Sequence, residues 1–130
     1  MAIDIQGFDH YTITVTDLVR STRFYVDILG FRQMDRPAFD FAGAWFDIGN
    51  LQQIHLIEGL ESASFISGSR SLHFAFRVSD IYAARAYLRD HDVPIYKDIK
   101  PRPDGFLQLF VRDPDGYVIE LTQSGNIYRK

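Results

Sequence analysis

The sequence predicts an α+β fold: two tandem βαβββ modules that together form a curved mixed sheet, a paired-module cup. Three observations predict it. The run His10-Tyr-Thr-Ile-Thr-Val-Thr-Asp17 returns 63 positions later as His73-Phe-Ala-Phe-Arg-Val-Ser-Asp80, and Ile54-His55-Leu56 returns 65 positions later as Ile119-Glu120-Leu121. A drift of two residues is a single loop insertion, so one module is written twice. Each copy also alternates apolar and polar residues in a run rich in β-branched or aromatic side chains, then switches to helical spacing. Finally, a lone module leaves one sheet face bare, so two must pack together or pair with another chain. The expected domain spans residues 1–130, with modules at about 5–60 and 68–125.

In the first module, residues 8–16 read as a strand. Asp17 is placed to cap a helix carrying Leu18, Phe24, Tyr25, Ile28 and Leu29, and Gly30 ends it. Extended pieces follow at 31–36, 42–48 and 52–57, the last two joined by a tight turn at Gly49-Asn50. The second module repeats the plan: a strand over 71–78, Asp80 as cap, and a helix with Ile81, Ala84, Tyr87 and Leu88. Strands near 95–98, 106–112 and 117–123 follow, with Asp113-Pro-Asp-Gly116 as the last turn.

Strand parity sorts the side chains into faces. His10, Thr12 and Thr14 share one side of the first strand, and His73, Ala75 and Arg77 share one side of its repeat. On the closing strands, Gln53 and His55 oppose Ile54 and Leu56, and Val118, Glu120 and Thr122 oppose Ile119 and Leu121. Helices should cover the continuous apolar side. The mixed polar side is then the concave one, and it carries His10, His55, His73 and Glu120.

Three imidazoles and a carboxylate suit a borderline divalent ion: Zn, Ni, Fe, Co or Mn. Zero cysteines exclude disulfides, thiolate ligands and a cysteine nucleophile, and argue against a closed structural zinc site. An octahedral ion with four protein ligands keeps two positions, enough to chelate neighbouring oxygens of a substrate. Glu120, between Ile119 and Leu121, asks for a cation because an unpaired carboxylate is costly to desolvate. His55 is the most dispensable ligand, since three suffice for a catalytic site. His91 falls at a helix end outside the repeat register and reads as structural.

The remaining composition narrows the partners. Apolar residues make up 46% of the chain and aromatic ones 15%, a soluble globular balance without low-complexity tracts. A formal net charge of −3 offers no basic field for nucleic acid or an anionic membrane surface. No apolar run approaches the roughly 20 residues that span a bilayer, and the first residues lack the pattern of a signal peptide. A cytoplasmic location is the expectation.

At these residues the chain resembles the vicinal oxygen chelate superfamily, the glyoxalase/bleomycin resistance protein/dioxygenase group. The resemblance runs from Phe8 to Gln123. It is carried by Asp9-His10, Val15-Thr-Asp-Leu18, Ser21, Phe24-Tyr25, Leu29-Gly30-Phe31, His73, and Asp113-Pro-Asp-Gly116 leading into Ile119-Glu120-Leu121. It implies paired modules around one divalent metal held by His10, His55, His73 and Glu120, and chains that pair as homodimers. Within the group the chain is most similar to glyoxalase I, a lactoylglutathione lyase. That likeness implies a lyase or isomerase acting on a small oxygenated substrate, with Glu120 moving the proton. The chain departs from glyoxalase I at His55, where that enzyme has a carboxylate or amide, and at Thr14, where it has an arginine that helps hold glutathione. Arg77 is the mirrored position in the second module and a candidate anion clamp, beside Thr12 and Thr14 as substrate contacts. An arginine salt-bridged across the sheet is its plain alternative.

Other activities of the group remain in view. A fosfomycin-type transferase or hydrolase would use His10, His73 and Glu120, with Lys97 near its anion loop, although an exposed strand-end lysine explains Lys97 as well. An extradiol dioxygenase needs three open metal positions, which a coordinating His55 would deny. A bleomycin-type drug-binding protein needs no metal, and could use Phe39, Phe41, Trp45 and Phe106 as a groove.

Overall fold

The computed structural model describes residues 2–125. They divide into two units, one up to Ser62 and one from Ala63. Each unit is a four-stranded mixed sheet with one main helical segment, which is the α+β, two-module architecture read from the repeat.

The first unit contains β1 (His10–Val15), α1 (Leu18–Arg23) continued by a π-helical turn (Phe24–Ile28), β2 (Arg32–Met34), β3 (Gly43–Gly49) and β4 (Gln52–Glu58). Its strand order is β1-β4-β3-β2, with β1 and β4 parallel and the other pairs antiparallel. The second unit contains β5 (Phe74–Arg77), α2 (Ile81–Asp90), β6 (Ile95–Pro101), β7 (Leu107–Arg112) and β8 (Val118–Gln123), after a single 3₁₀ turn at Ser64–Ile66. Its order, β5-β8-β7-β6, and its strand directions reproduce those of the first unit.

The helix starts are built alike. Asp17 accepts a hydrogen bond from the amide of Arg20, and Asp80 accepts from those of Tyr82 and Ala83. The last residue of neither parallel partner strand is far away: the amide of Leu18 donates to Glu58 Oε2 at 2.8 Å, and that of Ile81 to Gln123 Oε1 at 2.7 Å. Glu58 and Gln123 are themselves repeat equivalents, so each closing strand ties down its own helix. Behind the sheets, Ile13, Val15, Phe24, Tyr25, Phe46, Ile54 and Leu56 form one core, and Phe74, Ile81, Leu88, Leu109, Val111, Ile119 and Leu121 form the other. These include the apolar parity residues expected to face the helices.

Four expectations shift. The first helix does not run uniformly to Gly30: the amide of Leu29 bonds back five residues to Phe24. The widened turn lets the consecutive rings Phe24 and Tyr25 both be buried. β2 keeps only three of the residues expected for it. β6 extends to Pro101 through two irregularities in register. The β3–β4 turn is centred on Asn50 and Leu51, both in the left-handed region (φ 51° and 62°), as a two-residue type I′ hairpin requires. The Asp113–Gly116 turn is as read: the Asp113 carboxylate accepts from the amides of Asp115 and Tyr117, and Gly116 supplies a φ of 98°.

Candidate functional site

In the first unit, register brings the polar-face residues into a row. Thr12 is paired with His55 across β1–β4, and His55 with Trp45 across β3–β4. The three lie side by side on one face. The His55 ring stacks on Trp45 with centroids 4.1 Å apart and planes within 5°, and on its other side stacks against His10 at 4.1 Å and 13°. A cavity of about 440 Å³ opens here, bordered by His10, Thr12, Arg36, Phe39, Trp45 and His55 among others.

Each imidazole is oriented by a neighbour. His10 Nδ1 donates to the Asp9 carboxylate at 2.7 Å, which leaves Nε2 for another partner. His55 Nε2 donates to Gln53 Oε1 at 2.8 Å, which leaves Nδ1. Burial pushes the His55 imidazole below its usual range, and the nearby His10 and Arg36 add to that against a smaller opposing effect of Asp9. His55 is therefore neutral at pH 7, the form that can bind a metal. Joining a metal would require it to leave its stack between Trp45 and His10.

In the second unit the corresponding row is Ala75, Glu120 and Phe110. His73 sits one residue ahead of β5 and reaches Glu120, Nε2 to Oε1, at 3.3 Å. Its Nδ1 donates to the Ser71 carbonyl at 2.9 Å. A neutral His73 then turns the Nε2 lone pair toward a carboxylate oxygen. Two acceptors at that distance repel unless a proton or a metal cation lies with them. Glu120 is only 5% exposed, and its Oε2 is buried without a hydrogen bond among the described residues; the nearest cation is Arg102 Nη1 at 3.7 Å. Arg102 is engaged elsewhere: Nε and Nη2 both donate to Asp104, and its guanidinium lies over Phe106 at 4.5 Å. Those bonds hold the Asp104 carboxyl below its usual range. An imidazole nitrogen and an under-satisfied buried carboxylate form half of a divalent-metal site by donor chemistry.

The expected ligands thus assemble as two pairs, His10 with His55 and His73 with Glu120. Among the described residues no group of three or more histidine, aspartate or glutamate side chains is gathered closely enough to hold a metal. Thr12 borders the cavity with the first pair. Thr14 is on the same side of β1 and lies close against Gly59. Arg77 is exposed, paired in register with Thr122, and has neither hydrogen bond nor ion pair among the described residues, so the salt bridge considered for it is absent there. Lys97 donates to Ser69 Oγ at 2.8 Å and is exposed. His91 ends α2, its Nδ1 donating to the Tyr87 carbonyl at 2.8 Å, the structural role read for it. Phe39, Phe41 and Trp45 do line one cavity, whereas Phe106 belongs to the second unit.

Four contributors were not anticipated. Gln53, the orienting partner of His55, was already on its face by parity. Ser71 and Asp9 act on the histidines from outside the strands, and Arg36 reaches the cavity from the irregular stretch after β2.

The chain belongs to the Glyoxalase/Bleomycin resistance protein/Dioxygenase superfamily, whose sequence profile matches residues 7–121. It is 34% identical over 124 residues to a Synechocystis sp. protein named "Probable lactoylglutathione lyase", covering 90% of this chain and 95% of that one. It is 30% identical over 122 residues to the lactoylglutathione lyase of Haemophilus influenzae, covering 88% and 90%. A solved chain from Bacillus anthracis, assigned to the glyoxalase family, superposes with a TM-score of 0.78 at 25% identity, over 95% of this chain and 99% of its own. No helix among the described residues is long and apolar enough to cross a membrane.

Proposed function

We propose that this chain is a metal-dependent lyase or isomerase of the glyoxalase type, acting on a small oxygenated substrate as a cytoplasmic homodimer. The ligands assigned to one divalent ion (Zn, Ni, Fe, Co or Mn) are His10, His55, His73 and Glu120, drawn from one chain or from two paired copies. The observation that carries this reading is the His73–Glu120 contact. His73 Nε2 and Glu120 Oε1 lie 3.3 Å apart, and the second Glu120 oxygen is buried without a hydrogen bond among the described residues. The relatives named lactoylglutathione lyase support the same class of reaction.

A divalent ion held by these residues would polarise a substrate oxygen and stabilise negative charge developing on it. Glu120 is assigned the proton transfer: one carboxylate oxygen takes the proton from the hydroxyl-bearing carbon beside the substrate carbonyl and returns it to the former carbonyl carbon, while the hydroxyl proton passes to the former carbonyl oxygen, a net isomerisation. Ser71 holds the His73 ring and Asp9 the His10 ring, which keeps the free nitrogens aimed. Substrate contacts are assigned to Thr12, which borders the cavity, to Thr14 on the same side of β1, and to Arg77, whose guanidinium is exposed.

The test is metal analysis of protein purified without a histidine tag, followed by assay with methylglyoxal and glutathione. About one divalent ion per site is expected, lost on His73→Ala, with turnover that depends on it. Metal-free protein carrying a tightly held planar molecule would instead assign the chain to drug sequestration.

A further inference from the structure

The first unit contains a feature that proton transfer does not use. Arg36 lies over the rings of Phe39 and Phe41, 4.9 Å from each centroid, and its Nη2 donates to the Phe41 carbonyl at 2.9 Å. Its Nε is buried without a hydrogen bond, and no carboxylate pairs with it among the described residues. Gly43 makes room for it, since a Cβ there would come within 3.0 Å of the guanidinium. Arg36 is half-buried and borders the cavity, and a guanidinium with an unmet buried donor favours an anion beside it.

Around this cation the cavity wall is flat and aromatic. Phe39 packs on Phe41 at 5.1 Å and leans on Trp45 at 6.1 Å, and Trp45 continues into the stacked His55 and His10 rings. Phe39 is 46% exposed and Phe41 43%, a poor arrangement for core residues but a suitable one for π-faces awaiting a partner. The cavity, about 440 Å³, is of the size that takes a small organic molecule. Asp9, the acidic residue on its wall, is committed to His10.

We propose that this cavity binds a planar aromatic carboxylate, its ring against the Phe39–Trp45 wall and its carboxylate on Arg36. The inference rests on the reading above for the identity of the site, and adds the class of ligand: a conjugated acid whose ring and carboxylate are both held by first-unit residues.

Trp45 is the single tryptophan of the chain, so its fluorescence reports on this wall directly. Chelator-treated protein is titrated with 2-naphthoate, 2-naphthamide and cyclohexanecarboxylate, with calorimetry on the same samples. Naphthoate is expected to quench Trp45 saturably, and at least about tenfold more tightly than the neutral amide or the non-planar acid. Arg36→Gln should erase the preference for naphthoate over the amide, Arg36→Lys should keep part of it, and Phe39→Ala should weaken both aromatic ligands several-fold. Equal affinity for acid and amide, or an Arg36→Gln protein with unchanged naphthoate affinity, overturns the proposal, as does the absence of saturable binding. If Arg36→Gln alters the circular dichroism spectrum, the Arg36→Lys and Phe39→Ala comparison decides alone. Because the titration is done without metal, its failure leaves the metal analysis standing, and a metal-free result there leaves this binding test intact.

Discussion

The two units share a strand order, a register and a way of tying down their helices, yet their equivalent faces carry different chemistry. Position for position, Thr12, His55 and Trp45 in the first unit stand where Ala75, Glu120 and Phe110 stand in the second. The first row is a stack of flat rings around a neutral imidazole. The second is a buried carboxylate facing an imidazole at 3.3 Å and 3.7 Å from an arginine already engaged elsewhere. The backbone repeat supplies matching places, and side-chain identity sets them apart: an aromatic stack in one unit, a buried carboxylate beside an imidazole in the other.

That division is broken most sharply at Glu120. Glu120→Gln keeps the shape and removes the proton-accepting charge, so turnover of any substrate found should fall by about 10²–10⁴ while thermal unfolding stays near wild type. Near-normal activity in a folded Glu120→Gln protein would remove its assigned role. The repeat-equivalent change, His55→Gln, should cost much less, because His55 is held by stacking and by Gln53 rather than facing an unmet charge. Metal content should follow the same asymmetry. His73→Ala is expected to lose most bound ion and His55→Ala only a part; equal retention by both variants would show that neither residue coordinates.

Much of this frame was legible in the sequence because the repeat made each half a check on the other. The 63-residue spacing made His73 the equivalent of His10, and parity alone placed Gln53 with His55 and Arg77 with His73. The pairing of Glu58 with Leu18 and of Gln123 with Ile81 was equally implicit, since both acceptors close a strand one repeat apart. What escaped depends on geometry that neither period carries. Arg36 lies in an irregular stretch, and its place over Phe39 and Phe41 is set by a loop path and by the bare backbone of Gly43. The π-helical turn escaped because two adjacent buried rings look, in sequence, like an ordinary helical face. Stacking of His10 on His55 escaped as well: shared strand faces bring rings near one another without saying whether they meet by their flat sides or by their nitrogens.

A milder contrast lies at the helix starts. Asp80 accepts two amide hydrogen bonds and Asp17 one, so Asp80→Ala should destabilise by about 1–2 kcal/mol and Asp17→Ala by about 0.5–1 kcal/mol. Urea unfolding of the two variants checks the order. Reversed values would mean that Glu58 and Gln123, rather than the aspartates, fix the first turns.

The smallest expected effect concerns His55 in metal-free protein. Its imidazole titrates below 6.5 in the fold, chiefly because burial disfavours the charged ring, and at about 6.5 once unfolded. Below that pH the unfolded chain takes up a proton that the folded chain does not. Stability therefore falls as pH drops from about 6.5 toward the lower folded value and is unaffected by this group above it, with a slope of at most about 1.4 kcal/mol per pH unit. The informative quantity is the difference in unfolding free energy between wild type and His55→Gln, measured at pH 7.5 and 5.5. The variant should lose less stability on acidification than the wild type. Identical losses would mean that the stack between Trp45 and His10 admits an imidazolium, and burial in the first unit would then not set the charge of its imidazole.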